Sequence, residues 1–177
     1  MYLPRKKNVA REFISKLHQE LGITMILVTH DKEEAFMLSD KVAIFLEGHL
    51  QQLDTPINIY KQPKTIAIAD FIGDANYIQG VVKNYVFSCF LGSVPVEKIC
   101  AGDAKLMLRH DQINMRRNNG VPALVTDKKY KGQLTTYTLI MQIEKNPILK
   151  VTSQASNFEV GERVFIETQL QDGCVFV

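Results

Sequence analysis

Apolar positions along the chain keep two different rhythms. Val9, Phe13, Ile14, Leu17 and Leu21 recur at helical spacing. They predict an amphipathic helix over residues 8–21, with Lys16, Gln19 and Glu20 on its other side. Gly22 stands where a left-handed residue closes a helix. Ile23-Thr24-Met25-Ile26-Leu27-Val28 follows without alternation. Such a run predicts a strand buried on both faces of a parallel sheet. After Thr29-His30-Asp31 a short helix is predicted over 32–38. Apolar segments at 42–46 and 49–53 flank Glu47-Gly48 and predict a hairpin. Thr55-Pro56 reads as an N-cap with proline at the first helical position. That helix spans 57–61 and stops before Pro63. A further helix over 65–72 ends at Gly73.

From Tyr77 onward the helical period disappears. Short apolar runs near 78–83, 86–91, 105–109, 122–127, 134–143, 148–152, 163–169 and 174–177 alternate with glycines at 92, 102, 120, 132, 161 and 173. This spacing predicts a small antiparallel barrel or sandwich. The change of rhythm places a boundary near Gly73–Tyr77 and divides the chain into residues 1–76 and 77–177.

Composition narrows the function classes. With 46% apolar and 23% charged residues in 177, wholesale disorder is excluded. A net charge of +2 disfavours a nucleic-acid binder. No apolar run approaches the ~20 residues that span a bilayer. The basic N-terminal residues lack the apolar segment of a secretory signal. Cys89, Cys100 and Cys174 are widely spaced and odd in number, which suits free thiols in a reducing compartment. The four histidines do not cluster with them, so no zinc site is expected.

His30 is the candidate for chemistry. It follows the carboxyl end of a predicted parallel strand, the edge where open α/β sheets bind ligands. A histidine there donates a hydrogen bond to a phosphate oxygen or orients a water. On position alone, a histidine that merely ends the strand is the favoured reading. Arg116-Arg117 and Lys128-Lys129-Tyr130-Lys131 read as solvated loops, or as contacts for an anion or a partner.

The order of short motifs adds more. Leu17-His18-Gln19-Glu20-Leu21-Gly22-Ile23-Thr24, then Val28-Thr29-His30-Asp31-Lys32-Glu33-Glu34-Ala35, then Leu38-Ser39-Asp40-Lys41-Val42-Ala43 resembles the end of an ABC-transporter ATPase domain. The register continues through Glu47-Gly48, Asp54-Thr55-Pro56, Ile59-Tyr60, Pro63 and Ala69-Asp70-Phe71-Ile72-Gly73. Asp54 replaces the usual glycine before Thr-Pro. Leu108-Arg109-His110-Asp111-Gln112-Ile113, Lys131-Gly132-Gln133-Leu134-Thr135-Thr136-Tyr137 and Phe158-Glu159-Val160-Gly161-Glu162-Arg163-Val164 resemble stretches of the TOBE domain that follows in such subunits. His110 stands there in place of a proline.

The resemblance implies the α/β remnant of a P-loop nucleotide-binding domain, followed by an all-β, OB-like TOBE barrel. It implies that His30 is the switch histidine that contacts the γ-phosphate of ATP in the intact subunit. ATP and Mg2+ are the implied cofactors there. A membrane permease and a second ATP-binding subunit are the implied partners, and the cytoplasmic face of a membrane is the implied place. No GxxxxGK[ST] occurs in the 177 residues, nor an LSGGQ-like signature. The chain is thus expected to be the C-terminal part of a subunit, to bind ATP poorly and to be inactive alone. Its FIGDAN stretch points to ferric-iron or polyamine import, ahead of sulfate, molybdate or sugars. The alternative is a stand-alone β module that binds a small oxyanion or a partner protein, with residues 1–76 as a remnant.

Overall fold

The computed structural model describes residues 4–97, 101–154 and 157–177, and side chains from residue 9 onward within them. Cys100 lies outside the described residues. The chain forms two compact units, Met1–Lys64 and Thr65–Val177.

In the first unit, helix α1 spans Pro4–Leu21 and α2 spans Lys32–Leu38. Gly22 has φ +61° and donates its N–H to the carbonyl of His18 at 3.0 Å, closing α1 as its position in the sequence requires. The packed stripe of α1 follows the apolar one only in part. Arg11 is buried, and Ile14, Ser15, Leu17 and His18 are half-buried, whereas Val9 and Phe13 are each 64% exposed. A hairpin follows, β1 Val42–Leu46 with β2 His49–Asp54. Its turn residues Glu47 and Gly48 both have positive φ, the conformation that a tight two-residue hairpin loop needs. Helix α3 spans Pro56–Lys61; the Thr55 hydroxyl accepts from the N–H of Asn58. Buried Gln52 folds the end of this unit back: it donates to the carbonyl of Gln62 and accepts from the N–H of Lys64.

One expectation fails here. Residues 23–28 form no strand. They run as exposed, irregular chain, with Ile26 90% and Val28 93% exposed. A strand is defined by its ladder, and no strand pairs with this run among the described residues. The apolar pattern is present, but among the described residues no neighbouring strand makes it a buried one.

The second unit begins with α4, Ile66–Ile72, capped by Thr65. Ten strands follow: β3 Ala75–Lys83, β4 Val86–Cys89, β5 Gly92–Pro95, β6 Gly102–Arg109, β7 Ile113–Arg116, β8 Val121–Tyr130, β9 Thr135–Met141, β10 Ile148–Ser153, β11 Arg163–Thr168 and β12 Cys174–Phe176. They build two antiparallel sheets, ordered β12-β6-β3-β4-β5 and β10-β9-β8-β11-β7. Strands β5 and β7 are absent from the sequence reading, because four residues beside a glycine or a helical turn carry too little alternation. Along β9 the burial pattern alternates strictly, placing Tyr137, Leu139 and Met141 in the core. Ile78, Val82, Phe87, Leu106, Val125 and Ile166 meet them there. The ring of Phe158 stands edge-on to Tyr137 at 6.1 Å. Gly80 lets β3 pass close beneath Phe87: a Cβ there would lie 2.3 Å from the ring.

Candidate functional site

His30 occupies a turn that its neighbours hold on both sides. Thr29 precedes it; its hydroxyl accepts from the N–H of Asp31 at 3.0 Å and donates to Glu34 Oε2 at 2.9 Å. Asp31 follows it and caps α2, its Oδ1 accepting from the N–H groups of Glu33 and Glu34. The other oxygen, Oδ2, takes Arg11 Nη2 at 2.9 Å. Arg11 also reaches Glu33 at 3.4 Å and Glu34 at 3.7 Å. The imidazole of His30 itself is exposed. The arrangement presents a donor on a braced turn. Sequence reasoning missed Arg11, which is 8% exposed on a helix whose apolar residues drew the attention.

A second polar cluster lies in the β unit, where α4 runs into β3. Arg109 is fully buried at the end of β6. Its guanidinium donates to the carbonyl of Ala69 at 3.0 Å and to that of Gly73. These are C-terminal carbonyls of α4, which favour a cation. The N–H of Arg109 is accepted by Gln112 Oε1, and Gln112 Nε2 donates to the carbonyl of Asp172. Buried Asn76 acts as a piece of strand: it donates to the carbonyl of Lys150 at 2.8 Å and accepts from its N–H at 2.7 Å. This joins β3 of one sheet to β10 of the other. Tyr77 donates its hydroxyl to Asp70, and burial pushes that phenol well above the usual range. Between these groups lies an open cleft of about 510 Å³, lined by Asp70, Asp74, Asn76, Tyr77, His110 and Lys150. Burial pushes the His110 imidazole down, while Asp74 pulls it up.

Arg116 ends β7 and Lys128, Lys129 and Tyr130 end β8, while Arg117 and Lys131 lie just beyond the strands, and acids engage four of the basic residues. Arg116 pairs with Glu167, Arg117 with Glu162 at 3.3 Å, Lys128 with Glu159 at 2.8 Å and Lys129 with Asp127 at 3.3 Å. Their positive charge is therefore largely offset within the unit. Burial pushes the Cys89 thiol up. Among the described residues no group of three or more His, Cys, Asp or Glu is placed to hold a metal. Asp54, the departure from glycine before Thr-Pro, accepts from Asn58 Nδ2 and from the N–H of Thr55, both at 2.8 Å. Those bonds, Asn58 first, hold its carboxyl below the usual range.

Two curled antiparallel sheets around one core fit the OB-like class, and residues 106–176 match the TOBE domain family. The chain as a whole matches the C-terminal regions of ABC importer ATP-binding subunits. It is 34% identical to the spermidine/putrescine import ATP-binding protein of Protochlamydia amoebophila, over 84% of this chain and 44% of that one. It is equally identical to the protein of the same name from Mycoplasma genitalium, over 84% of this chain and 27% of that one. The Fe(3+) ions import ATP-binding protein of Pseudomonas fluorescens is 32% identical over 80% of this chain and 42% of its own. The chain spans less than half the length of these relatives. Among the described residues no helix is long and apolar enough to cross a membrane.

Proposed function

We propose that residues 1–76 are the closing part of an ABC nucleotide-binding domain and that residues 77–177 are its regulatory β domain. The observation that carries this reading is the extent of the match: 34% identity runs through 84% of the chain, across both parts. In the assembled subunit His30 is the switch histidine, donating toward the γ-phosphate and coupling its presence to closure of two such domains. The subunit works on the cytoplasmic face of a membrane against a permease, as a homodimer, and imports polyamine or ferric iron.

Phosphoryl transfer depends on positioning and electrostatics around the phosphates. The 177 residues contain no glycine-rich phosphate loop, and no three of their described acids, histidines and cysteines gather as metal ligands. ATP and Mg2+ thus do not fit this chain's own residues, and no hydrolytic step is assigned to it by itself. The stand-alone anion module is disfavoured: Arg116, Arg117, Lys128 and Lys129 are paired with acids, and the similarity does not stop at the β domain.

The test is calorimetry of ATP binding, on this chain and on a protein in which it replaces the C-terminal region of the Protochlamydia relative. ATP is expected to bind only the joined protein, whose turnover His30→Ala abolishes. Tight binding by the 177-residue chain itself would overturn the reading.

A further inference from the structure

We infer that Arg11 is a positioning residue for His30, an inference that rests on the reading of His30 as the histidine that senses a bound polyphosphate. The imidazole is exposed, yet the backbone on both sides of it is fixed by a buried charge. Arg11, 8% exposed, reaches across from α1 to Asp31, Glu33 and Glu34 at 2.9, 3.4 and 3.7 Å. Each of these acids belongs to the segment that carries His30. Asp31 divides its oxygens: Oδ2 takes Arg11, while Oδ1 caps α2 through Glu33 and Glu34. Glu34 in turn holds Thr29, whose hydroxyl accepts from the N–H of Asp31. The loop of bonds closes around one residue, His30, and leaves its ring outward.

Two physical consequences follow. A donor on a braced turn keeps its direction when a partner arrives, so little orientational freedom is lost on contact. Three carboxylates beside His30 also repel an incoming polyphosphate, and the Arg11 guanidinium offsets part of that field. Removal of Arg11 loosens the turn and exposes the repulsion together.

Amide hydrogen exchange on the 177-residue chain tests the geometry. In Arg11→Met, residues 29–34 should exchange about tenfold faster, while β3 and β9 keep their protection. Arg11→Lys should restore much of it. Asp31→Asn, which keeps a capping oxygen and loses the charge, should resemble Arg11→Met. In the joined ATPase, Arg11→Met should lower kcat by about a hundredfold with the KM for ATP nearly unchanged, and Arg11→Lys should recover part of the loss. Unchanged exchange at 29–34, or unchanged kcat in a protein that His30→Ala inactivates, overturns the positioning role and leaves the reading of His30 standing. An Arg11→Met variant that loses protection throughout α1 and the hairpin as well marks a merely structural role and overturns it too. Full turnover in His30→Ala overturns the reading of His30, and this inference with it.

Discussion

The two units use apolar residues at similar density but to different ends. In the β unit nineteen buried apolar residues join in one cluster between Ile78 and Leu170. Among the described residues of the first unit the buried aliphatic side chains are Val42, Ile44 and Ile59, while Phe13, Ile26, Val28 and Met37 are more than half exposed. The difference teaches that a pattern supplies faces, not partners. The β unit has both faces of its core within reach of its own strands. The first unit is held more by polar devices: Arg11 with its three acids, Gln52 with the backbone of 62–64, and the caps Asp31 and Thr55.

The sharpest way to break this contrast is a pair of truncations. Leu139→Ala in β9 should destabilise the β unit by about 3 kcal/mol, through lost burial and the cavity left behind. Ile26→Ala should change stability by less than about 0.5 kcal/mol, since its side chain is already in water. Chemical denaturation of both variants measures the gap. An equal loss would mean that residues 23–28 pack after all.

A smaller effect is expected where the β unit itself relies on a polar device. Arg109→Met removes the donors to Ala69 and Gly73 and should cost about 2 kcal/mol, the penalty of buried acceptors left unmade. Amides of α4 should exchange faster than those of β9. Uniform loss across the unit would show instead that α4 is no separable piece.

The smallest effect is a pH dependence. Burial holds the folded His110 imidazole below its ordinary value of 6.5, so the unfolded chain takes up its proton first as pH falls. Stability should therefore be full above about 6.5 and decline below it, until the folded imidazole also protonates. His110→Gln should flatten that slope in melts between pH 5 and 7.5. The partial exposure of His110 keeps the effect modest. An unaltered slope would assign the acid sensitivity to other groups.

Much of this was legible along the chain. Local signals are complete in themselves: Gly22 closing α1, Glu47-Gly48 turning the hairpin, Thr55-Pro56 and Thr65 starting α3 and α4, and eight of the ten β-unit strands. Each depends on a few neighbouring residues and on dihedral preferences that no distant contact has to supply. The motifs around His30 and Asp54 were legible for the same reason, being contiguous.

What only the tertiary structure decided depends on meetings between distant residues. Arg11 finds Asp31 across twenty positions, Arg109 finds Ala69 across forty, and Asn76 finds Lys150 across seventy-four. A polar side chain in sequence does not say whether it faces water or a buried carbonyl. The same holds for residues 23–28, whose apolar run specifies that a strand is possible. Whether it forms is settled by a hydrogen-bonding neighbour, which lies outside the run itself.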